Sequence, residues 1–331
     1  MRILLLGGTA WLGSHIARDA IARGHDVTAL ARGSSGMAPN GVRFVTADRD
    51  DPAAYEGVAG ERWDAVIDVS RQPGHVRGAL AALSDRTEHW VFVSTGSVYA
   101  RDDRPGDDET AERLEPLAGD TMHDMSQYGP AKVACENTVL AARGDGGALI
   151  ARAGLIGGPG DGSGRTGYWP RRFARPSNAE GRVLVPDAPR LSTQVIDVRD
   201  LASWLVDAAE RRIAGTMNAY GDATPFAEHL RLAREVAGHD GEVVAVAPTW
   251  LAEHGVEAWM GPRSLPIWLP EPEYSGHSAR DVTRSRSAGL RPRPLVETLA
   301  DTLAWESSDA GAWPRRAGLT DDEERELLAA V

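Results

Sequence analysis

The residues best suited to chemistry are Tyr128 and Lys132, four apart in Tyr128-Gly129-Pro130-Ala131-Lys132 at the start of a run that reads as helical through Arg143. Positions i and i+4 share a helix face. A free phenol, with a pKa of about 10, is a poor base near neutrality. A neighbouring ammonium lowers that by about 1–3 units and brings proton transfer into the working range. Pro130 is acceptable in a first helical turn, where N–H groups have no partner within the helix. Without a ligand nearby, the same pair would be an ordinary surface Tyr and Lys. Upstream, Trp90–Ser94 reads as a buried strand that runs into Thr95-Gly96-Ser97-Val98-Tyr99. Hydroxyls at the C-terminal end of such a strand lie where open α/β sheets bind ligands. Thr95 can hold a substrate oxygen while Tyr128 moves the proton; Ser94 and Ser97 are rivals, each able to satisfy backbone in a turn.

A second feature gives this pair its context. The strand Arg2–Leu6 runs into Gly7-Gly8-Thr9-Ala10-Trp11-Leu12-Gly13, and an amphipathic helix follows. Glycines there permit unusual backbone angles and let a pyrophosphate approach a helix N-terminus, where free N–H groups and the helix dipole favour an anion. A tight turn with no ligand is the plainer alternative. The next strand ends in Ala31-Arg32-Gly33-Ser34, with no carboxylate to read a ribose 2′-hydroxyl. Arg32 and Ser34 suit a 2′-phosphate, so the expected cofactor is NADP, with NAD as the alternative. Asp48 stands where a carboxylate can accept from an adenine amino group, while Asp50 or Asp51 equally suits a helix cap before Pro52.

The elements that must position these residues follow from periodicity. Candidate strands are Arg2–Leu6, Asp26–Leu30, Val42–Thr46, Ala65–Val69, Trp90–Ser94, Ala148–Ala151 and Gly215–Ala219. They alternate with helical patterns such as His15–Arg23, Val76–Leu83 and Val198–Arg211. Near-continuous apolar strands alternating with helices predict an α/β fold, a doubly wound parallel sheet covered on both faces. Residues 1–155 are expected to form the dinucleotide-binding domain, which also receives about 190–222. Residues 156–189 and 223–331 are expected to build a smaller mixed substrate lobe. Tyr168-Trp169-Pro170-Arg171-Arg172 is the leading pocket candidate there, with most of the ten tryptophans read as core or interface. Thr320–Leu328 reads as a solvated terminal helix.

Composition narrows the partners. A net charge of −12 disfavours nucleic acid and anionic membranes. Cys135 is the single cysteine, so no internal disulfide forms. The leading apolar run is too short for a signal-peptide core, and no later stretch approaches the roughly 20 residues of a membrane span. A cytoplasmic location is the default expectation. His75, His123 and His277 lack ligand spacing, so no metal site is expected.

Taken together these residues resemble the short-chain dehydrogenase/reductase superfamily, in the extended or atypical branch often labelled NAD-dependent epimerase/dehydratase. The resemblance rests on the glycine turn, Ser94–Tyr99, the YxxxK pair, Arg152 through Gly157-Gly158-Pro159-Gly160, and Val195–Ala202. It implies a Rossmann domain of about seven strands. It also implies Thr95, Tyr128 and Lys132 as the catalytic set and a nicotinamide against the backbone from Leu155. The candidate cofactor contacts are Gly7, Thr9, Ala10, Trp11, Leu12, Gly13, Arg32, Ser34, Asp48, Ser94, Tyr128, Lys132 and Leu155. Some positions depart from the family. Ala10 replaces the middle glycine, and Ala153 replaces a proline. Thr95-Gly96-Ser97 stands where sugar-nucleotide dehydratases carry Thr-Asp-Glu. Thr193 stands where sugar-nucleotide epimerases carry an arginine that clamps pyrophosphate. The acidic stretch between Ala100 and Gln127 further disfavours an anionic substrate if it lines the mouth. The expected activity is hydride transfer between a nicotinamide cofactor and a small-molecule carbonyl or alcohol. The alternatives are an epimerase with tightly bound NAD and a non-catalytic dinucleotide sensor. By the same resemblance a homodimer is expected.

Overall fold

The strand Arg2–Leu6 (β1) shows how the sheet is built. Ile3, Leu4, Leu5 and Leu6 are all fully buried, and alternation sends Ile3 and Leu5 to one face, Leu4 and Leu6 to the other. Burying each such side chain contributes about 1.5–3 kcal/mol. The same alternation splits Val91 and Val93 from Trp90 and Phe92 in β5 (Thr87–Thr95). A strand apolar on both faces requires two covering layers, and the computed structural model, which describes residues 1–308 and 316–331, supplies them.

The seven-stranded sheet has the order β11-β6-β5-β4-β1-β2-β3, every pair parallel. Its strands are β1, β2 (Asp26–Ala31), β3 (Arg43–Thr46), β4 (Trp63–Asp68), β5, β6 (Ala148–Ala153) and β11 (Gly215–Ala219). Between β6 and β11 lie four short strands: β7 (Leu155–Gly157), β8 (Val183–Pro186), β9 (Ser192–Thr193) and β10 (Val195–Asp197). On one face lie α1 (Trp11–Ala22) and α6 (Val198–Arg211). The other face is covered by α3 (Pro73–Leu83) and α4 (Tyr128–Gly147), the short α2 (Glu56–Ala59) lying between β3 and β4. This is the doubly wound Rossmann arrangement, with strand order reversing between β1 and β4.

A second apolar cluster gathers α5 (Arg165–Ala174), α7 (Phe226–Ala237), β8 and the C-terminal helices around Tyr168, Trp169, Phe173 and Phe226. Its strand pairings are short and join distant segments: β8 pairs with Val243–Val246, and β9 with Thr224–Pro225. Segments after residue 223 also reach the sheet domain. Ala288 and Leu290 pack on the main sheet's core, and Gly276, Ala279 and Asp281 hydrogen-bond the backbone of residues 102–107. The terminal helix Asp321–Ala330 is not the solvated element expected. Thr320 and Glu323 form a capping box, and Leu327, Leu328 and Glu324 turn inward to the second cluster.

Candidate active site

The turn after β1 brings backbone and helix together as glycine chemistry demands. Gly7 has φ of +101°, and a side chain at Gly13 would drive into the backbone of Gly7 and to 2.9 Å from Gly8 Cα. α1 therefore starts directly against the turn. Its N-cap, Ala10, has no capping side chain, and no acid occupies its first turn. The amides at this end remain available to an anion. A cleft of about 150 Å³ opens there, lined by Gly7, Thr9, Ala10, Arg32, Ser34 and Asp48 among others. This cradle suits a dinucleotide: a gap that a Cβ would fill, and an uncapped helix start beside it.

The remaining turn residues take other places. Leu12 packs partly against the core, and the Trp11 indole donates to the Pro159 carbonyl at 2.9 Å. Trp11 thereby ties the turn to the second glycine-rich loop, so its N–H is engaged within the protein. Arg32 and Asp48 are exposed and 4.0 Å apart. Asp48 also accepts from the Asp50 amide at 3.2 Å, and Asp51 accepts from the Ala53 amide at 2.9 Å. Arg49 lines the cleft and belongs to a pair that spacing did not single out. Asp68, fully buried at the end of β4, accepts from both terminal nitrogens of Arg49 at 3.1 and 3.2 Å. Arg49 also donates to Tyr55, Ser70 and the His75 carbonyl. The guanidinium holds Asp68 below the usual carboxylate range, against the upward push of burial.

Ser70, beside that pair, links the cleft to Lys132. Lys132 donates to the carbonyls of Ser70 at 2.6 Å and Val93 at 2.5 Å. Burial lowers its ammonium from 10.5 to about 8, opposed by its neighbours Cys135, Asp68 and Glu136. Tyr128 opens α4, and Gly129 lets that helix start against Ser97: a Cβ there would run into the Ser97 carbonyl. Pro130 thus falls in the first turn. At Gly144 φ is +64°, interrupting regular helical geometry just after Arg143. Thr95 ends β5 and caps the next turn, accepting from Ser97 N at 3.2 Å.

Burial holds the Tyr128 phenol above its ordinary value. A hydrogen bond with Thr95 and the charges of Arg71 and Arg165 pull it partly back. That direction is the reverse of the lowering expected from Lys132. The physical cause is desolvation, which disfavours the phenolate, while the Lys132 ammonium is turned onto two carbonyls.

Other sequence-derived candidates separate here. The Ser94 hydroxyl donates to Glu136 at 2.6 Å, away from a ligand role for its side-chain proton. Glu136 is fully buried and also accepts from Arg152 at 2.8 and 3.0 Å and from Arg113 at 2.9 Å. Leu155 is buried at the start of β7, paired in register with Val195. Tyr168, Trp169 and Arg172 are core residues and not a pocket wall. Acids in the 100–127 stretch are largely engaged. Asp102 pairs with Arg280, Asp103 with Arg101, Glu109 with Arg284 and Asp120 with Arg77. Among the described residues, no cluster of His, Cys, Asp and Glu is arranged to hold a metal, and no helix is long and apolar enough to cross a membrane.

The model of the NAD dependent epimerase/dehydratase family matches residues 3–89 and 74–220, and the chain belongs to that family, an extended short-chain dehydrogenase/reductase. Its members bind a nicotinamide dinucleotide and act on small molecules. Among relatives, dTDP-4-dehydrorhamnose reductase of Mycolicibacterium smegmatis is 31% identical over 314 residues, covering 92% of this chain and 85% of that protein. The 2′-dehydrokanamycin reductase of Streptomyces kanamyceticus is 34% identical over 160 residues, 47% of this chain and 43% of that one. The UDP-glucose 4-epimerase of Thermotoga maritima superposes with a TM-score of 0.65 at 19% identity, over 92% of this chain and 98% of that one, a likeness of fold.

Proposed function

We propose that this enzyme reduces the carbonyl of a small-molecule substrate with NADPH, Tyr128 delivering the proton. The observation that carries this reading is the meeting of Tyr128, Thr95 and Lys132 at the C-terminal edge of β5, next to the cleft after β1. A phenol held above its ordinary value keeps its proton at neutral pH, which is the state a proton donor requires. Thr95, hydrogen-bonded to that phenol, is placed to orient the carbonyl oxygen as charge develops on it. The Lys132 ammonium supplies positive charge on the same helix face as the phenolate left behind. The cofactor supplies hydride when bound. The turn amides, Thr9 and the cleft would hold it, with Lys132 also near its ribose.

Arg32 and Ser34 at the end of β2 support NADPH, since a 2′-phosphate there would meet a guanidinium and a hydroxyl. Two relatives being reductases supports the direction of reaction. Thr193 supports it too. Where an epimerase would carry a clamping arginine, this side chain is buried and donates to the Thr224 carbonyl at 3.1 Å. The test is Tyr128→Phe assayed by NADPH consumption over a carbonyl panel. A loss of about 10²–10⁴-fold in kcat with NADPH affinity kept is expected; full activity would reject the assignment. Tightly retained NAD, with turnover that consumes no free cofactor, would establish the epimerase instead.

A further inference from the structure

Three neighbouring strands of the main sheet end level with one another. Thr95 of β5, Ala153 of β6 and Ala219 of β11 are paired in register, so Gly96, Gly154 and Tyr220 follow as a row along the C-terminal edge. The row holds two glycines and one large ring, and the ring lies over both glycines. A Cβ at Gly154 would meet Tyr220 Cε1 at 2.6 Å and Cγ at 2.7 Å. One at Gly96 would run into the Tyr220 hydroxyl and meet Cζ at 3.0 Å. The side chain thus crosses the end of β6 and stops with its hydroxyl against Gly96. Neither glycine is among those with positive φ, so the ring, and not the backbone conformation, is what requires them.

Tyr220 is itself fixed in place. It is buried, its carbonyl accepts from Arg286 at 3.1 Å, and a side chain at the following Gly221 would run into the Val195 carbonyl. Burial holds its phenol above the ordinary value, so it stays neutral. The turn Gly96–Val98 touches this ring at Gly96 and touches α4 at Ser97, whose carbonyl lies where a Cβ of Gly129 would stand. Gly129 is the neighbour of Tyr128, which opens α4. Thr95 caps the same turn, its Oγ1 accepting from Ser97 N at 3.2 Å and donating to Ser97 Oγ at 3.3 Å. A continuous line of close contacts therefore runs from the Tyr220 ring through the turn to the start of α4. In a close-packed interior, such a line transmits a displacement at one end to the other.

We propose that Tyr220 is a positioning residue for the proton-transfer pair: its ring wedges the Gly96–Val98 turn against α4 and so sets the separation of Thr95 from Tyr128. Glycine at 96 has no side chain to fill the space if the ring is shortened, so the turn would relax into the void. A misplacement of about 1 Å between reacting groups costs about 10²-fold in rate. Leucine at 220 tests the reach of the ring. It keeps carbons over Gly154 and has no atom where Cζ and the hydroxyl meet Gly96. The proposal rests on the reductase reading for what Thr95 and Tyr128 do once placed, and its test separates the two.

Two readouts are taken on the full chain: kcat for NADPH-dependent carbonyl reduction with NADPH affinity beside it, and the NMR signal of Tyr128 in protein labelled with tyrosine carrying carbon-13 at Cζ. The chain has six tyrosines, and the resonance missing from Tyr128→Phe identifies the one of interest. Tyr220→Leu should lower kcat by about tenfold to 10²-fold, keep NADPH affinity within about threefold and shift the Tyr128 signal. Tyr220→Phe, which keeps Cζ, should lose much less. Gly96→Ala is harmful beside the native ring, yet added to Tyr220→Leu it should recover most of the lost kcat and return the signal, since its methyl refills the gap. Native kcat and an unmoved signal in Tyr220→Leu would overturn the proposal. So would equal losses in the Phe and Leu variants, or a double variant no better than Tyr220→Leu. Should Tyr220→Leu not fold, Gly96→Ala alone forces ring and turn apart, and native kcat with an unmoved signal there would overturn it as well. If the Tyr128 signal moves and returns as expected while no carbonyl is reduced, the positioning role stands and the reductase reading falls.

Discussion

At the residue scale, ionisation here is set by what surrounds each group, and the two key groups move in useful directions. Lys132, lowered to about 8 by burial, is charged at pH 7 and loses its proton as pH rises past about 8, while the Tyr128 phenol remains protonated. On the proposed reductase reading, kcat/KM should therefore be level from about pH 6 to 7 and fall above about 8. A pH–rate profile on the free enzyme checks this, and a profile level to pH 9.5 would exclude Lys132 as the controlling group. Arg32 belongs to this scale as well. Exposed and 4.0 Å from Asp48, it is free to swing to a 2′-phosphate. Arg32→Ala should weaken NADPH binding about tenfold or more and leave NADH binding nearly unchanged, as read by fluorescence titration. An equal loss for both cofactors would show that Arg32 does not read the 2′ position.

At the element scale, the site depends on how two helices begin. α1 reaches the turn because Gly13 has no side chain, and α4 reaches β5 because Gly129 has none. Gly129→Ala places a methyl into the Ser97 carbonyl, so the first turn of α4 must retreat and carry Tyr128 from Thr95. The expected result is a stability loss of about 1–3 kcal/mol by denaturant titration. It should come with a fall in kcat much larger than any change in NADPH affinity. Native kcat in a folded variant would show that the close approach is packing alone.

Across the whole molecule, the second cluster is closed by the C-terminal helix through a buried ion pair. Arg172 donates to Asp321 at 2.7 Å and to the Leu319 carbonyl at 2.7 Å, and its Nε lies 3.3 Å from the fully buried Glu324. Burial pushes Glu324 up and Arg172 pulls it down, with burial ahead. Arg172→Leu would leave that carboxylate without its cation, a change that costs about 3–5 kcal/mol. The loss should shrink as pH falls, because a neutral Glu324 needs no counter-charge, and Arg172→Leu with Glu324→Gln should recover part of it. Thermal melts at several pH values check both statements.

What was legible in the sequence follows local rules. β1 and the central strands announce themselves because a strand buried on both faces is apolar throughout, and the glycine turn because Gly7 and Gly13 meet backbone constraints within a few residues. Tyr128 and Lys132 were legible because helical spacing alone puts them on one face. The second cluster was harder to read: its strands are two to four residues long and pair across tens of residues, below any periodic signal. Arg49 carried no spacing pattern that tied it to Asp68. By itself, then, the sequence determined the sheet, the turn and the helix face, since each rests on neighbours along the chain. Only the tertiary structure decided that Ser94 serves Glu136, that Asp68 answers Arg49, and that burial raises Tyr128 while lowering Lys132. Desolvation and charge depend on which distant segments close around a group, and one strand of sequence does not contain that information.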